Sequence, residues 1–150
     1  MGFFSNLLKW FQPEEYDDAD LGRLISVGSG DWDGTWTLPP GERAIPFTIC
    51  GRPETVSSEH RSFMLQVKDR FTEIEQELAR TMFRGIDPLD TGSTPEEVFS
   101  HMNLTSVNFT DLDASPREWQ IWYVNDLDPA GHAIGVEMKD WQYDGFSMNG

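Results

Sequence analysis

The apolar residues of the middle of the chain fall on one side of a helix. Phe63, Val67, Phe71, Ile74, Leu78 and Met82 recur at intervals of four, four, three, four and four, the one-sided stripe of an amphipathic helix. The pattern predicts a single long helix over 57–83, opened by Ser57 or Ser58 with Glu59 in its first turn. Arg80 and Arg84 suit its negative end, and Gly85 suits a left-handed cap. A helix of this length needs a broad apolar surface to lie on, and the flanking segments alternate in the manner of strands that supply one.

Upstream, Leu21 to Val27 is mixed. Trp32 to Leu38 sets Trp32, Trp36 and Leu38 against Asp33, Thr35 and Thr37, with Asp33-Gly34 marking a hairpin turn or a bulge. Ala44 to Cys50 alternates Ile45, Phe47 and Ile49 against smaller residues, and Pro46 predicts an edge strand there. Pro39-Pro40-Gly41 links the second and third of these segments.

Downstream, Thr94-Pro95-Glu96-Glu97 combines a capping threonine, proline at the first helical position and a glutamate three residues after the cap. It predicts a short helix to about Met102. Leu104 to Leu112, Glu118 to Asn125 and Ala133 to Asp140 follow as three strands, the middle one, EWQIWYVN, apolar on both faces and therefore central. Short turns between successive strands make them antiparallel. The expected fold is α+β: an antiparallel sheet of about six strands, one long amphipathic helix packed on a face and a short second helix.

At 150 residues the chain fits one domain. FFSNLLKWF, residues 3–11, predicts a short helix, and PEEYDDAD beyond it, with five carboxylates between Glu14 and Asp20, reads as a solvated linker. The expected organisation is an arm over 1–20 and a domain over 21–150. Phe3, Phe4, Leu7, Leu8, Trp10 and Phe11 are expected to fold back on the body or meet another chain. The start lacks the pattern of a secretory signal, and no run reaches the length of a membrane span. One cysteine, Cys50, precludes an intrachain disulfide and reads as a small buried hydrophobe, which suits a reducing cytosol.

Charge changes the picture most. There are 26 acidic residues against 11 basic, a net −15, and from Gly85 onward the ratio is 12 to 2. Such a surface repels phosphate backbones and anionic lipid heads, which argues against nucleic acid and membranes, and it draws basic partners.

Candidate chemistry is sparse. Asp126, Asp128 and His132 have metal-ligand side chains, yet their spacing fits no zinc finger, HExxH motif or calcium loop. In DLDPAG the aspartates, proline and glycine are turn formers between two strands. Residues 87–92, DPLDTG, offer oxygens but no completing glutamate. Cys50 has no basic neighbour beyond Arg52 and no nearby histidine. Trp32, Trp36, Trp119 and Trp122 lie in strand patterns, where packing is the default use. No phosphate loop, nucleophile elbow or CxxC pair occurs, so no cofactor is expected.

The segments TPEEVFSHMNLTSVNFTDLD, WQIWYVND, DPAGHAIGVEMK and YDGFSMNG resemble the bacterial family called domain of unknown function 2262. Thr94, Glu97, Phe99, Leu104, Ser106, Val107, Asp126, Gly131, His132, Ile134 and Gly150 occupy its pattern positions. DWDGTWTL and AIPFTI fit its opening, so the resemblance covers residues 30–150. Phe99 stands one place late after Glu97, and Pro129-Ala130 replaces an aromatic. The family is similar to small proteins found beside bacterial toxins, some of them immunity factors. The resemblance implies a bacterial cytosolic protein.

The combined expectation is a non-enzymatic, acidic, cytoplasmic interaction protein, an immunity-like factor that neutralises a basic protein toxin or effector. Asp111, Asp113, Asp126 and Asp128 are the expected binding carboxylates, with Trp141 or Tyr143 as an aromatic anchor. The alternatives are a metal-dependent hydrolase built on His132 with Asp126 and Asp128, and a housekeeping or phage protein.

Overall fold

The computed structural model describes residues 13–28, 30–39, 41–51, 56–82 and 94–149. The elements run β1 (Glu15–Asp18), β2 (Gly22–Ser26), β3 (Trp32–Leu38), β4 (Arg43–Ile49), α1 (Ser58–Asp69), α2 (Phe71–Thr81) and α3 (Pro95–Ser100). Strands β5 (Met102–Asp111), β6 (Glu118–Asn125), β7 (Ala133–Lys139) and β8 (Gln142–Asn149) follow. The fold class is α+β as expected, but among the described residues the sheet has eight strands rather than about six, in the order β1 to β8. Two antiparallel meanders of four strands meet at a parallel junction, where Phe47, Thr48 and Ile49 of β4 pair with Val107, Asn108 and Phe109 of β5. The helices form the crossover that this junction requires.

Two strands were not expected. The acidic stretch read as a linker contributes β1, and Asp18 at its end is 4% exposed. Burying a carboxylate demands partners. Asp18 Oδ1 accepts from the backbone N–H groups of Asp20 at 2.9 Å and Leu21 at 3.0 Å, and Arg61 Nη2 donates to Oδ2 at 2.6 Å. Burial pushes this carboxyl up, but the Arg61 bond, those two amides and the Arg61 charge outweigh it and hold the pKa at about 2. The sheet therefore begins inside the 1–20 arm. The helix expected over 3–11 lies outside the described residues, as do Arg52, Arg84, Gly85 and the 87–92 loop.

The long helix is bent into two. Arg70 leaves helical geometry at φ −97° and ψ 10°, although Arg70 N–H still donates to Gln66 O at 3.0 Å and Ile74 N–H to Arg70 O at 3.0 Å. The apolar stripe continues through the bend: Phe63, Val67, Phe71, Ile74, Leu78 and Met82 are all buried. It follows a twisted sheet, which one straight rod would leave at its ends. The sharper sequence signals match closely. Ser57 caps α1 through its hydroxyl and His60 N–H, 3.1 Å apart, and Thr94 and Glu97 form a reciprocal capping box at α3 with bonds of 3.2 and 2.9 Å. That helix ends at Ser100, and Met102 opens β5.

Pro46 does not mark an edge. β4 lies between β3 and β5, and its missing N–H is tolerated because the ladder to β5 starts one residue later, at Phe47. Asp33-Gly34 is neither turn nor bulge but regular strand paired to Thr48 and Phe47. Gly34 is required there for space: a β-carbon would lie 2.3 Å from the Phe47 ring and 2.9 Å from Leu24.

Register assigns the two faces. One row crosses the sheet as Gly34, Phe47, Val107, Ile121, Val136 and Phe146, its first five members buried beneath the helices. The adjacent row, pointing the other way, is Glu15, Ile25, Asp33, Thr48, Asn108, Gln120, Glu137 and Gly145. The three helices of the described residues lie on the first face: Phe63 of α1 meets Phe109 and Trp119, while Glu75 of α2 and Phe99 of α3 meet Tyr123.

Candidate functional site

Among the described residues the helices lie on one side of the sheet and none lies on the other. Every second residue of β3 to β7 points there, and most are polar: Asp33, Thr35 and Thr37, then Thr48, then Asn108, then Glu118 and Gln120, then Glu137, with Ala44, Pro46, Val124 and Ala133 as apolar positions among them. Trp122 is the aromatic exception. It faces Gly135 across the ladder, and its benzo ring fills the space above that glycine, where a β-carbon would sit 2.8 Å from the ring. Its indole N–H donates to Gln120 Oε1 at 3.3 Å, and Thr105 Oγ1 donates to its carbonyl at 3.0 Å. A half-buried indole is thereby fixed in place among polar neighbours.

Lys139 is a cation on this face, and carboxylates surround it. Its Nζ lies 3.0 Å from Asp144 Oδ2. The Asp144 bond and charge, followed by the charges of Glu118 and Glu137, raise the Lys139 pKa. A shallow groove of about 160 Å³ runs between Glu118, Gln120, Glu137, Lys139 and Asp144. This arrangement favours added positive charge, with an aromatic surface beside it.

The four expected aspartates do not form one patch. Asp111 ends β5 and Asp113 follows in the loop before β6, whereas Asp126 and Asp128 lie in the turn after β6. The eight residues of β6 put the two pairs about 25 Å apart. Asp111 Oδ1 accepts from the N–H groups of Asp113 and Ala114 at 3.0 Å each. Asp113 Oδ1 is 3.0 Å from Nε2 of buried His60, beside Arg117, which bridges Glu59 at 2.6 Å and Asp140 at 3.2 Å. Trp141 belongs to this same end, with its ring 5.1 Å from Phe63 and the Arg70 guanidinium 4.6 Å from its centroid. It is 37% exposed, so part of its surface is free for contact. Tyr143 is half-buried on the helix side, in the row of Trp119 and Met138.

At the far end Asp128 organises the turn. Its Oδ1 accepts from Ala130 N–H at 2.9 Å, and its Oδ2 from His132 N–H at 3.0 Å with His132 Nδ1 at 2.6 Å. Those bonds, the Ala130 amide first, lower its pKa. Asp126 turns instead to the Asn103 amide. The two aspartates and His132 thus serve different partners, and among the described residues no group of three or more His, Cys, Asp or Glu side chains is placed to hold a metal ion. Cys50 is half-buried rather than buried; burial first, then Asp31 and Asp33, raises its pKa and disfavours the thiolate.

A second polar cluster lies under the helices. Glu75 accepts from Arg43 Nη2 and from the Tyr123 hydroxyl, each at 3.3 Å, on the wall of a cavity of about 530 Å³ between α2 and α3. Burial raises the Glu75 pKa against the pull of Arg43, and burial raises that of Tyr123 well above the ordinary phenol. These contacts tie α2 to β4 and β6. The sequence reading assigns Trp122 to packing along with Trp119 and does not single out Glu118 or Glu137, although EWQIWYVN held the signal: Gln120 and Glu118 share a parity with Trp122, opposite to Trp119, Ile121 and Tyr123. Among the described residues no helix is long and apolar enough to cross a membrane. No family model matches the chain, no curated protein matches its sequence, and no solved structure matches its fold.

Proposed function

We propose that this chain is a non-enzymatic acidic interaction protein that holds a basic protein partner on the bare face of its sheet. The observation that carries the reading is the cluster of Glu118, Glu137 and Asp144 around Lys139, with the fixed indole of Trp122 nearby, on the sheet face that no described helix covers. A net charge of −15 supplies long-range attraction for a cationic surface. The finer reading is a cytoplasmic immunity-like factor that neutralises a basic toxin or effector domain, in keeping with the resemblance to domain of unknown function 2262. Asp111, Asp113 and Trp141 at one end of the sheet, and Asp126 and Asp128 at the other, would then border the contact rather than form its centre.

The test is co-expression with the product of the neighbouring reading frame, followed by binding measurements on the purified pair. Rescue of a growth defect is expected. Trp122→Ala should weaken binding by roughly 30-fold, the loss typical of an interface anchor. Glu118→Lys with Glu137→Lys should slow association, and added salt should do the same to the unmodified protein. Absence of rescue, or affinity indifferent to all of these changes, refutes the assignment.

A further inference from the structure

The sheet ends differently at its two edges. β1 is four residues long and three of them are carboxylates, a short charged edge of the kind that discourages further pairing. β8 is eight residues long, contains no proline and has one charged residue, Asp144, which is occupied by Lys139. A register shift next to Asp144 is confined to the start of the strand. From Gly145 to Asn149 the pairing with β7 is unbroken, and among the described residues β8 has no other neighbour.

The side chains of β8 are unfinished in the same sense as its backbone. Phe47, Val107, Ile121 and Val136 are each 0% exposed, yet Phe146, next in that row, is 42% exposed, and Met148 beside it is 58% exposed. Both point to the helix side, beyond the reach of the described helices. On the bare side the row passes through Glu137 to Gly145, where a β-carbon would meet nothing within 4 Å.

We propose that β8 is an acceptor edge for an extended segment of the basic partner, which adds as a ninth strand with apolar and Lys or Arg residues in alternation. Its apolar residues cover Phe146 and Met148, and its cations lie beside Gly145 and Ser147, toward Glu137. Backbone hydrogen bonds supply affinity, and the alternation supplies selectivity. A second copy of this chain fits the edge less well, because it brings another net −15, and the cation that the described residues place beside the edge, Lys139, is already paired. The proposal rests on the basic-partner reading and adds to it the site and the conformation of the ligand.

The probes are two octapeptides of identical composition, one alternating valine and lysine and one with the valines and lysines in separate blocks, titrated against the full chain. The alternating peptide should bind roughly tenfold or more tightly and slow amide hydrogen exchange in 145–149. Methylating alternate backbone nitrogens of that peptide should abolish the preference whatever the protein variant. Phe146→Lys with Met148→Lys should also remove it, with the thermal melt as a check on folding, and Met148→Lys alone should reduce it. Equal binding of both peptides, insensitive to methylation and to the β8 changes but weakened by Glu137→Lys, overturns the edge and leaves the acidic face standing. No binding of either peptide fails both. A dimer in sedimentation that Met148→Lys dissolves also overturns the proposal, by giving the edge to a second copy.

Discussion

Asp18→Asn tests whether the acidic N-terminal stretch belongs to the folded body. The Asp18 carboxylate is buried against Arg61 and two backbone amides, and its pKa is about 2. An unfolded aspartate titrates near about 3.9, so the depression corresponds to about 2–3 kcal/mol in favour of the folded, ionised form. Because the folded pKa lies below the unfolded one, this contribution is fully present above about pH 4–5 and fades as the pH falls toward about 2. Asparagine keeps the shape but removes the charge opposite Arg61, whose side chain is 24% exposed. Urea unfolding should therefore show Asp18→Asn less stable by about 2–3 kcal/mol at neutral pH, with the gap narrowing steadily below about pH 4. Equal stability at neutral pH, or a gap of constant size down to about pH 3, would refute the reasoning. The first result would return the segment to a solvated linker; the second would mean the loss comes from shape and not from charge.

Two further substitutions probe packing and capping. Gly34→Ala should cost about 1–3 kcal/mol because its β-carbon must enter the Phe47 ring, whereas Gly145→Ala, with open space around it, should change stability by less than about 1 kcal/mol; paired thermal melts decide. Thr94→Ala should cost about 1 kcal/mol through loss of its capping bond to Glu97 N–H, and hydrogen exchange should localise the effect to α3, with an unchanged exchange pattern counting against it.

What was legible in the sequence was whatever periodicity alone could encode. β6 runs over the expected residues, β3 does too, and the α3 cap was readable because its chemistry is local. Edge strands were not legible. Apart from Asp18, β1 buries no residue, and β8 buries none fully, so their alternation runs mostly between exposed and half-buried positions and leaves no clear apolar stripe. Pro46 argued for an edge because a sequence cannot reveal that the neighbouring ladder starts one residue further on. The bare face was hidden for a related reason: EWQIWYVN announces a central strand, but which of its sides the helices cover depends on where the crossover passes. The turn chemistry of Asp128, Ala130 and His132 followed from residue types, while the distance between the two aspartate pairs required the length of β6.

The parallel seam between β4 and β5 has a consequence for how the chain is made. Each meander is built from hairpins between neighbours in sequence, which close quickly, but Phe47 and Ile49 gain their partners on the β5 side only after the whole crossover has been synthesised. A ribosome releasing the polypeptide from its N-terminus exposes the first four strands as a half-sheet with a greasy flank for many seconds before the second half arrives. Quality control in the cell would meet that half-sheet first. Truncations that stop before β5 should accordingly be captured by chaperones or precipitate, while full-length chains pass.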